Sequence, residues 1–153
     1  MIEAEKFAEY KRKAETIYSR QKEILCPYFQ SPIRLNSDGF HHLQFSARRE
    51  RSKDEQMLKF RLLPLALDVI RKSGTLQEFR ETMSPIGKKS KSGFTALKQT
   101  TYWGFAAITG QNKIKIRVIL RRIGDGNIIF WSVMPDSKLK NGQRLHDKNI
   151  EDE

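Results

Sequence analysis

Apolar side chains recur at helical spacing near the start of the chain. Phe7, Ala8, Ala14, Ile17 and Tyr18 fall roughly on one stripe of an otherwise charged segment from Ile2 to Gln21. That stripe predicts a helix that packs on the domain or lies along a partner. From Glu23 to Phe45 the pattern turns extended, broken by Pro27, Pro32 and the turn-like Asn36-Ser37-Asp38-Gly39, and it predicts short strands ending in Phe40–Phe45. On such a strand His41 and His42 face opposite sides, so only one of them serves a given site.

Ser52 and Glu55 have capping-box spacing, and the apolar set Met57, Phe60, Leu62, Leu63, Leu65, Ala66, Val69 and Ile70 predicts a buried central helix. Pro64 implies a kink there or two helices meeting. Thr75 with Glu78 repeats the capping spacing and predicts a short helix to about Met83. Residues 84 to 98 carry Pro85, Lys88, Lys89, Lys91 and Lys98 without an acid, and read as a basic loop placed to close over a phosphate chain. Three antiparallel strands follow, near 100–109, 113–122 and 127–134.

Asp125-Gly126 favours a two-residue type I′ hairpin turn, and that turn sets a register. Arg121 would face Phe130, Leu120 would face Trp131, Ile119 Ser132, Val118 Val133, and Arg117 Met134. One face then carries Ile114, Ile116, Val118, Leu120, Ile129, Trp131 and Val133. The other carries Lys113, Lys115, Arg117 and Arg121 with Phe130 and Ser132. A turn at Gln111-Asn112 adds Trp103, Phe105 and Ala107 to the core face, and Tyr102, Gly104, Ala106 and Ile108 to the basic face, where small residues beside Arg117 leave an open trough. A turn using Gly110 would shift that step. Alternating cations also serve simply to keep a sheet face solvated. Such faces are usually mixed in sign, whereas Lys113 to Arg122 holds five basic residues and no acid.

Composition sharpens this picture. The chain has 153 residues, 38% of them hydrophobic, which suits one domain over 1–135, opened by a helix over 1–22 and followed by a polar tail over 136–153. Its net charge of +11 favours a polyanionic partner: nucleic acid first, an anionic membrane surface second, an acidic protein third. The single Cys26 excludes an internal disulfide and a cysteine zinc cluster, which fits a cytoplasmic setting. Met1 to Lys22 is charged throughout, unlike a signal peptide, and no apolar run has the length of a membrane span.

Gly87-Lys88-Lys89-Ser90 lacks the upstream glycine and the strand of a phosphate-binding loop. Gly124-Asp125-Gly126 has too few carboxylates nearby for calcium, and no acidic cluster matches a two-metal nuclease. Nuclease chemistry without metal or cofactor needs a base for the ribose 2′-hydroxyl, an acid for the leaving oxygen and cations on the phosphate. His41 or His42 with Tyr, Lys, Arg and Ser supplies these groups, while His146 lies in the tail. Arg48, Arg49, Arg51 and Arg61 surround the start of the central helix, either as guanidinium forks for phosphate or as salt partners of Glu50, Asp54 and Glu55.

Several runs carry a resemblance that covers roughly residues 24 to 135. They are Asn36-Ser37-Asp38-Gly39-Phe40-His41-His42-Leu43, Arg49, Glu55-Gln56, Leu62-Leu63-Pro64-Leu65-Ala66, Gln77-Glu78-Phe79-Arg80, Ile116-Arg117-Val118-Ile119-Leu120-Arg121 and Phe130-Trp131-Ser132-Val133-Met134-Pro135. In order and residue type these resemble small phage- and mobile-element-associated proteins similar to the metal-independent ribonucleases that include barnase, EndoU, colicin D and RelE toxins. The resemblance implies an α+β fold, with N-terminal and central helices on one face of a small antiparallel sheet built from the C-terminal meander and one or more N-terminal strands. It implies a toxin-like endoribonuclease that acts on tRNA or mRNA and is neutralised by an antitoxin or inhibitor protein. His42, Arg117, Ser132 and Tyr102 would then be catalytic, with Arg49, Arg61, Lys115, Arg121, Lys88, Lys89 and Lys91 binding RNA. The competing reading is a non-catalytic RNA- or DNA-binding module that uses the same face.

Overall fold

Strands extend into the stretch expected as a basic loop, to Ile86 on one side and from Ala96 on the other, and the sheet is accordingly larger than a three-stranded meander. The computed structural model describes residues 2–46, 49–86, 93, 96–111 and 113–136. Its elements are α1 (Ile2–Arg20), β1 (Glu23–Ile24), β2 (Ile33–Arg34), α2 (Ser37–Gln44), α3 (Lys53–Lys72), β3 (Glu78–Ile86), β4 (Ala96–Thr109), β5 (Ile114–Ile123) and β6 (Ile128–Pro135). The sheet order is β1-β2-β6-β5-β4-β3, giving an α+β fold. Strands β3 to β6 form an antiparallel meander, whereas β2 joins β6 in parallel, so the sheet is mixed rather than purely antiparallel.

Helix α3 lies across β4, β5 and β6, and α1 packs on α3. Ser52 caps α3 by accepting from the Glu55 N–H at 3.1 Å, as the spacing predicts. Pro64 lies inside this helix without ending it. Pro64 itself is exposed, while Leu62, Leu63, Ala66, Leu67, Val69 and Ile70 around it are buried. Burying each such side chain contributes ~1.5–3 kcal/mol, so a few of them offset the ~3 kcal/mol cost of a helical proline. They meet Trp103, Phe105, Ile116, Val118, Leu120, Phe130 and Val133 in one core. Cys26 is free and buried there; its thiol donates to the Ser73 carbonyl, and burial pushes its pKa up. No helix among the described residues is long and apolar enough to cross a membrane.

Three expected elements differ. Asn36-Ser37-Asp38-Gly39 starts helix α2 rather than a turn: the Asn36 side chain accepts from the Gly39 N–H at 2.9 Å, the same local chemistry that makes Asx turns. His41 and His42 are therefore successive helical residues, not strand residues. Thr75 and Glu78 do not cap a helix, because Glu78 opens β3, whose nine residues pair along β4. There pairing with a long neighbour outweighs a local capping pattern. The lysines 88, 89 and 91, the tail from 137 and His146 lie outside the described residues; Lys98 belongs to β4.

The β4–β5 register is the one set by Gln111-Asn112, with Thr109 opposite Ile114 and Tyr102 opposite Arg121. The β5–β6 register is not regular. Among the described residues only Lys113 is a non-glycine with positive φ, so Asp125 does not adopt the type I′ conformation. Instead Gly124 takes φ 54°, and the Gly126 N–H donates to the Ile123 carbonyl. The longer connection puts Arg121 opposite Ile129 and Leu120 opposite Phe130, and a bulge follows before Ile119 meets Ser132. The bulge leaves Trp131 as the extra residue. Phe130 consequently lies in the helix-side core, and Trp131 packs on the other face with Tyr102, Ile119 and Met134. The expected placement of these two side chains is reversed.

Candidate nucleic-acid interface and reaction centre

The face opposite α3 is read from the pairing. It carries Glu78 and Arg80 on β3, Lys98, Tyr102, Gly104 and Ala106 on β4, Lys115, Arg117 and Arg121 on β5, and Trp131, Ser132 and Met134 at β6. Of the cations predicted to share one face, Lys115, Arg117 and Arg121 do share it, whereas Lys113 lies in the β4–β5 turn with φ 51°.

Beside Arg117 the expected open trough is filled. Gly104 has no side chain, and a Cβ there would stand 2.9 Å from the Glu78 Cβ, so Glu78 lies across the glycine. Its carboxylate accepts two bonds from Arg117, Nε to Oε1 at 2.5 Å and Nη2 to Oε2 at 2.7 Å. Such a bidentate pair fixes both partners. Arg117 is 3% exposed and serves as a strut between β3 and β5. Ser132 is fully buried, and its hydroxyl accepts from Lys59 Nζ at 2.9 Å. Lys59 also donates to the Val133 carbonyl at 3.0 Å. Beyond Ile128 and Ile129, the residues that β2 pairs, the outer side of β6 is thus met by a side chain from α3.

Around Trp131 the structure brings a second group together. The His42 ring stacks on the indole with centroids 3.9 Å apart and an interplanar angle of 14°, and the Arg121 guanidinium lies 4.0 Å from the indole centroid. Two groups that close to one centroid occupy opposite faces, so Trp131 is sandwiched between them. Arg51 meets the edge of the His42 ring, with Nη2 3.2 Å from His42 Nε2 and Nε donating to the His42 carbonyl at 3.0 Å. A guanidinium has donors and no acceptor, so this contact requires an unprotonated Nε2.

Local structure explains each position. Gly39 lets α2 lie against β6, since a Cβ there would overlap the Phe130 carbonyl oxygen. Asp38 and His42 are one turn apart on α2, hence on the same side of the helix. Arg51 is held by its N–H to the Gln44 carbonyl and by Gln56 Nε2 on its own carbonyl, both at 2.8 Å. Tyr102, opposite Arg121, is buried beside this row. Burial lowers the Arg121 pKa, while the charges of Tyr102 and Asp38 partly offset that shift. Arg121 Nε and Trp131 Nε1 are buried donors without a hydrogen-bond partner in the structure.

Of the remaining expected contacts, Lys115 stays on the sheet face, 3.6 Å from Asp136. Arg49 is exposed and lies 3.6 Å from Glu55, the salt-partner alternative. Arg61 stacks over Tyr10 of α1, on the helix side of the molecule and away from the row. Among the described residues of that cluster Arg51 is the guanidinium that reaches the row; Arg48 lies outside the described residues. Lys59 and Glu78 escaped the sequence reading, yet both left signals: Lys59 interrupts the apolar stripe of α3 at a buried position, and Gly104 interrupts an apolar strand, which marks a close approach. Among the described residues no three His, Cys, Asp or Glu side chains come together as metal ligands.

No protein-family model, no curated protein and no solved structure matches this chain. The functional reading therefore rests on the row itself.

Proposed function

We propose that this protein is a metal-independent endoribonuclease, acting in the cytoplasm on single-stranded RNA, with its reaction centre at the Arg121–Trp131–His42–Arg51 row. The observation that carries the reading is Arg121: a half-buried guanidinium with an unpartnered, buried Nε, laid on an indole whose other face holds an imidazole. A cation kept short of acceptors is arranged to receive an anionic oxygen. Strand cleavage proceeds by attack of the ribose 2′-oxygen on phosphorus, with the P–O5′ bond breaking to leave a 2′,3′-cyclic phosphate and a 5′-hydroxyl. Arg121 holds the phosphate oxygens. When Arg51 swings off His42 Nε2, that nitrogen is released to take the 2′-hydroxyl proton, and Tyr102, opposite Arg121, is the nearby phenol for the leaving 5′-oxygen.

Arg117 and Ser132, committed to Glu78 and Lys59, act here as scaffold rather than chemistry. In a toxin of this kind the same row would be what an antitoxin covers. The contact between Arg51 and His42 Nε2 also favours a second reading, a binding module in which His42 is purely structural.

The test is incubation of the pure protein with total RNA and with tRNA in EDTA, beside His42→Gln and Arg121→Leu at matched folded fraction. Cleavage by the parent, reduced about a hundredfold or more by each substitution, is expected. Intact RNA with salt-sensitive binding retained would give the protein to the second reading.

A further inference from the structure

The group that closes the edge of His42 has a second place to go. Arg51 is 5% exposed, and its backbone is pinned by the Gln44 carbonyl and by Gln56 Nε2, so the side chain is the part left to move. Its Nη2 occupies the position at His42 Nε2 that a ribose hydroxyl must take. Its Nη1, on the other edge of the fork, lies 3.7 Å from Glu55 Oε2. The Glu55 side chain is 42% exposed and lies just as loosely against Arg49, 3.6 Å from Nη2. Both separations exceed the roughly 2.7–2.9 Å of a charge-assisted hydrogen bond, so neither guanidinium has closed on this carboxylate. Trp131 covers one face of the imidazole with Arg121 behind it, which keeps the ring in place while the guanidinium moves.

We infer that Glu55 is a positioning residue of the enzyme, acting through Arg51: it draws the guanidinium off His42 Nε2 and sets the fraction of protein that carries an available base. The inference rests on the RNA-cleaving reading. Closed, Arg51 has two neutral acceptors, the His42 carbonyl and Nε2; open, it has one anionic acceptor and access to water. These are comparable opponents, so the element has two states. Arg121 holds the phosphate in either state. The open fraction therefore sets kcat rather than KM.

The latch is read without RNA by modifying the protein with diethyl pyrocarbonate, which acylates unprotonated imidazole nitrogen, and following His42 by peptide mass spectrometry with the exposed His41 as internal standard. Glu55→Gln weakens the open state and should slow His42 modification about fivefold. The Ser52 cap uses the Glu55 backbone N–H and survives this substitution. Arg51→Lys keeps the charge but not the fork; it should speed modification at least about fivefold and bring the effect of Glu55→Gln within about twofold. On RNA, Glu55→Gln should lower kcat about fivefold with KM within about twofold. Thermal denaturation checks each variant, and Glu55→Gln alone carries the test if Arg51→Lys does not fold. Unchanged His42 modification in Glu55→Gln, or an effect that persists at full size beside Arg51→Lys, would overturn the inference. Shifted modification with RNA left intact in EDTA removes the cleavage reading and leaves the latch. Cleavage with kcat unchanged in Glu55→Gln removes the latch and leaves the cleavage reading.

Discussion

The strut between Glu78 and Arg117 makes a prediction whose size follows from unequal burial. The Arg117 side chain is 4% exposed and that of Glu78 is 27% exposed. Removing one partner of a buried ion pair costs ~3–5 kcal/mol when the other is left charged and dry. Glu78→Gln takes the bidentate carboxylate from the drier partner and should cost about 3 kcal/mol. Arg117→Met strands a carboxylate that water still reaches, and should cost nearer to 2 kcal/mol. The double variant leaves no stranded charge, so its cost should be about 2 kcal/mol rather than the sum, a coupling of roughly 3 kcal/mol. Urea denaturation of the four proteins, extrapolated linearly to water, measures every leg of the cycle. Costs that add to within ~0.5 kcal/mol, or Arg117→Met costing more than Glu78→Gln, would refute the account of the pair as a strut. The double variant should also retain RNA cleavage, which a catalytic Arg117 would not allow.

Gly39→Ala forces α2 off the Phe130 carbonyl oxygen and should cost ~2 kcal/mol by urea denaturation, with a change in Trp fluorescence as the His42–Trp131 stack loosens; no change in either signal would contradict the close approach. Tyr18 is buried with an unpartnered hydroxyl, and burial raises its pKa, so the folded state keeps its proton where the unfolded chain loses it. Stability should therefore fall as pH rises above about 10, the ordinary tyrosine value, and Tyr18→Phe should flatten that alkaline limb at no cost near pH 7; an unchanged limb would contradict it. Ser132→Ala removes one acceptor of Lys59 and should cost ~1–2 kcal/mol while leaving kcat/KM within about threefold, since the hydroxyl is buried and points to Lys59; a collapse in rate with stability intact would return Ser132 to the chemistry.

Long periodic segments were legible in the sequence. The stripe of α1, the Ser52 cap and apolar face of α3, and the facing sides of β4 and β5 all follow from spacing, because packing and local preference agree there. What was not legible lay where local chemistry serves two structures. An Asn side chain accepts from the N–H two residues on in an Asx turn and three residues on in a helix cap; Asn36 makes the cap, where α2 also lies close against Phe130. Thr75 and Glu78 satisfy a capping pattern that pairing with β4 overrides. The candidate site divided along the same line: the register found the row of cations, whereas the partners that immobilise Arg117 and Ser132 come from β3 and α3, and no spacing within the hairpin reveals them.

The bulge in β6 has a consequence for how the site is inherited. With one residue fewer between Ile128 and Trp131, a regular ladder would set Trp131 opposite Leu120, inside the core, and nothing would remain for His42 and Arg121 to clasp. The row is thus encoded in the length of a connection as much as in its side chains. A scan of substitutions would pass over that information, and a scan of single-residue deletions would find it.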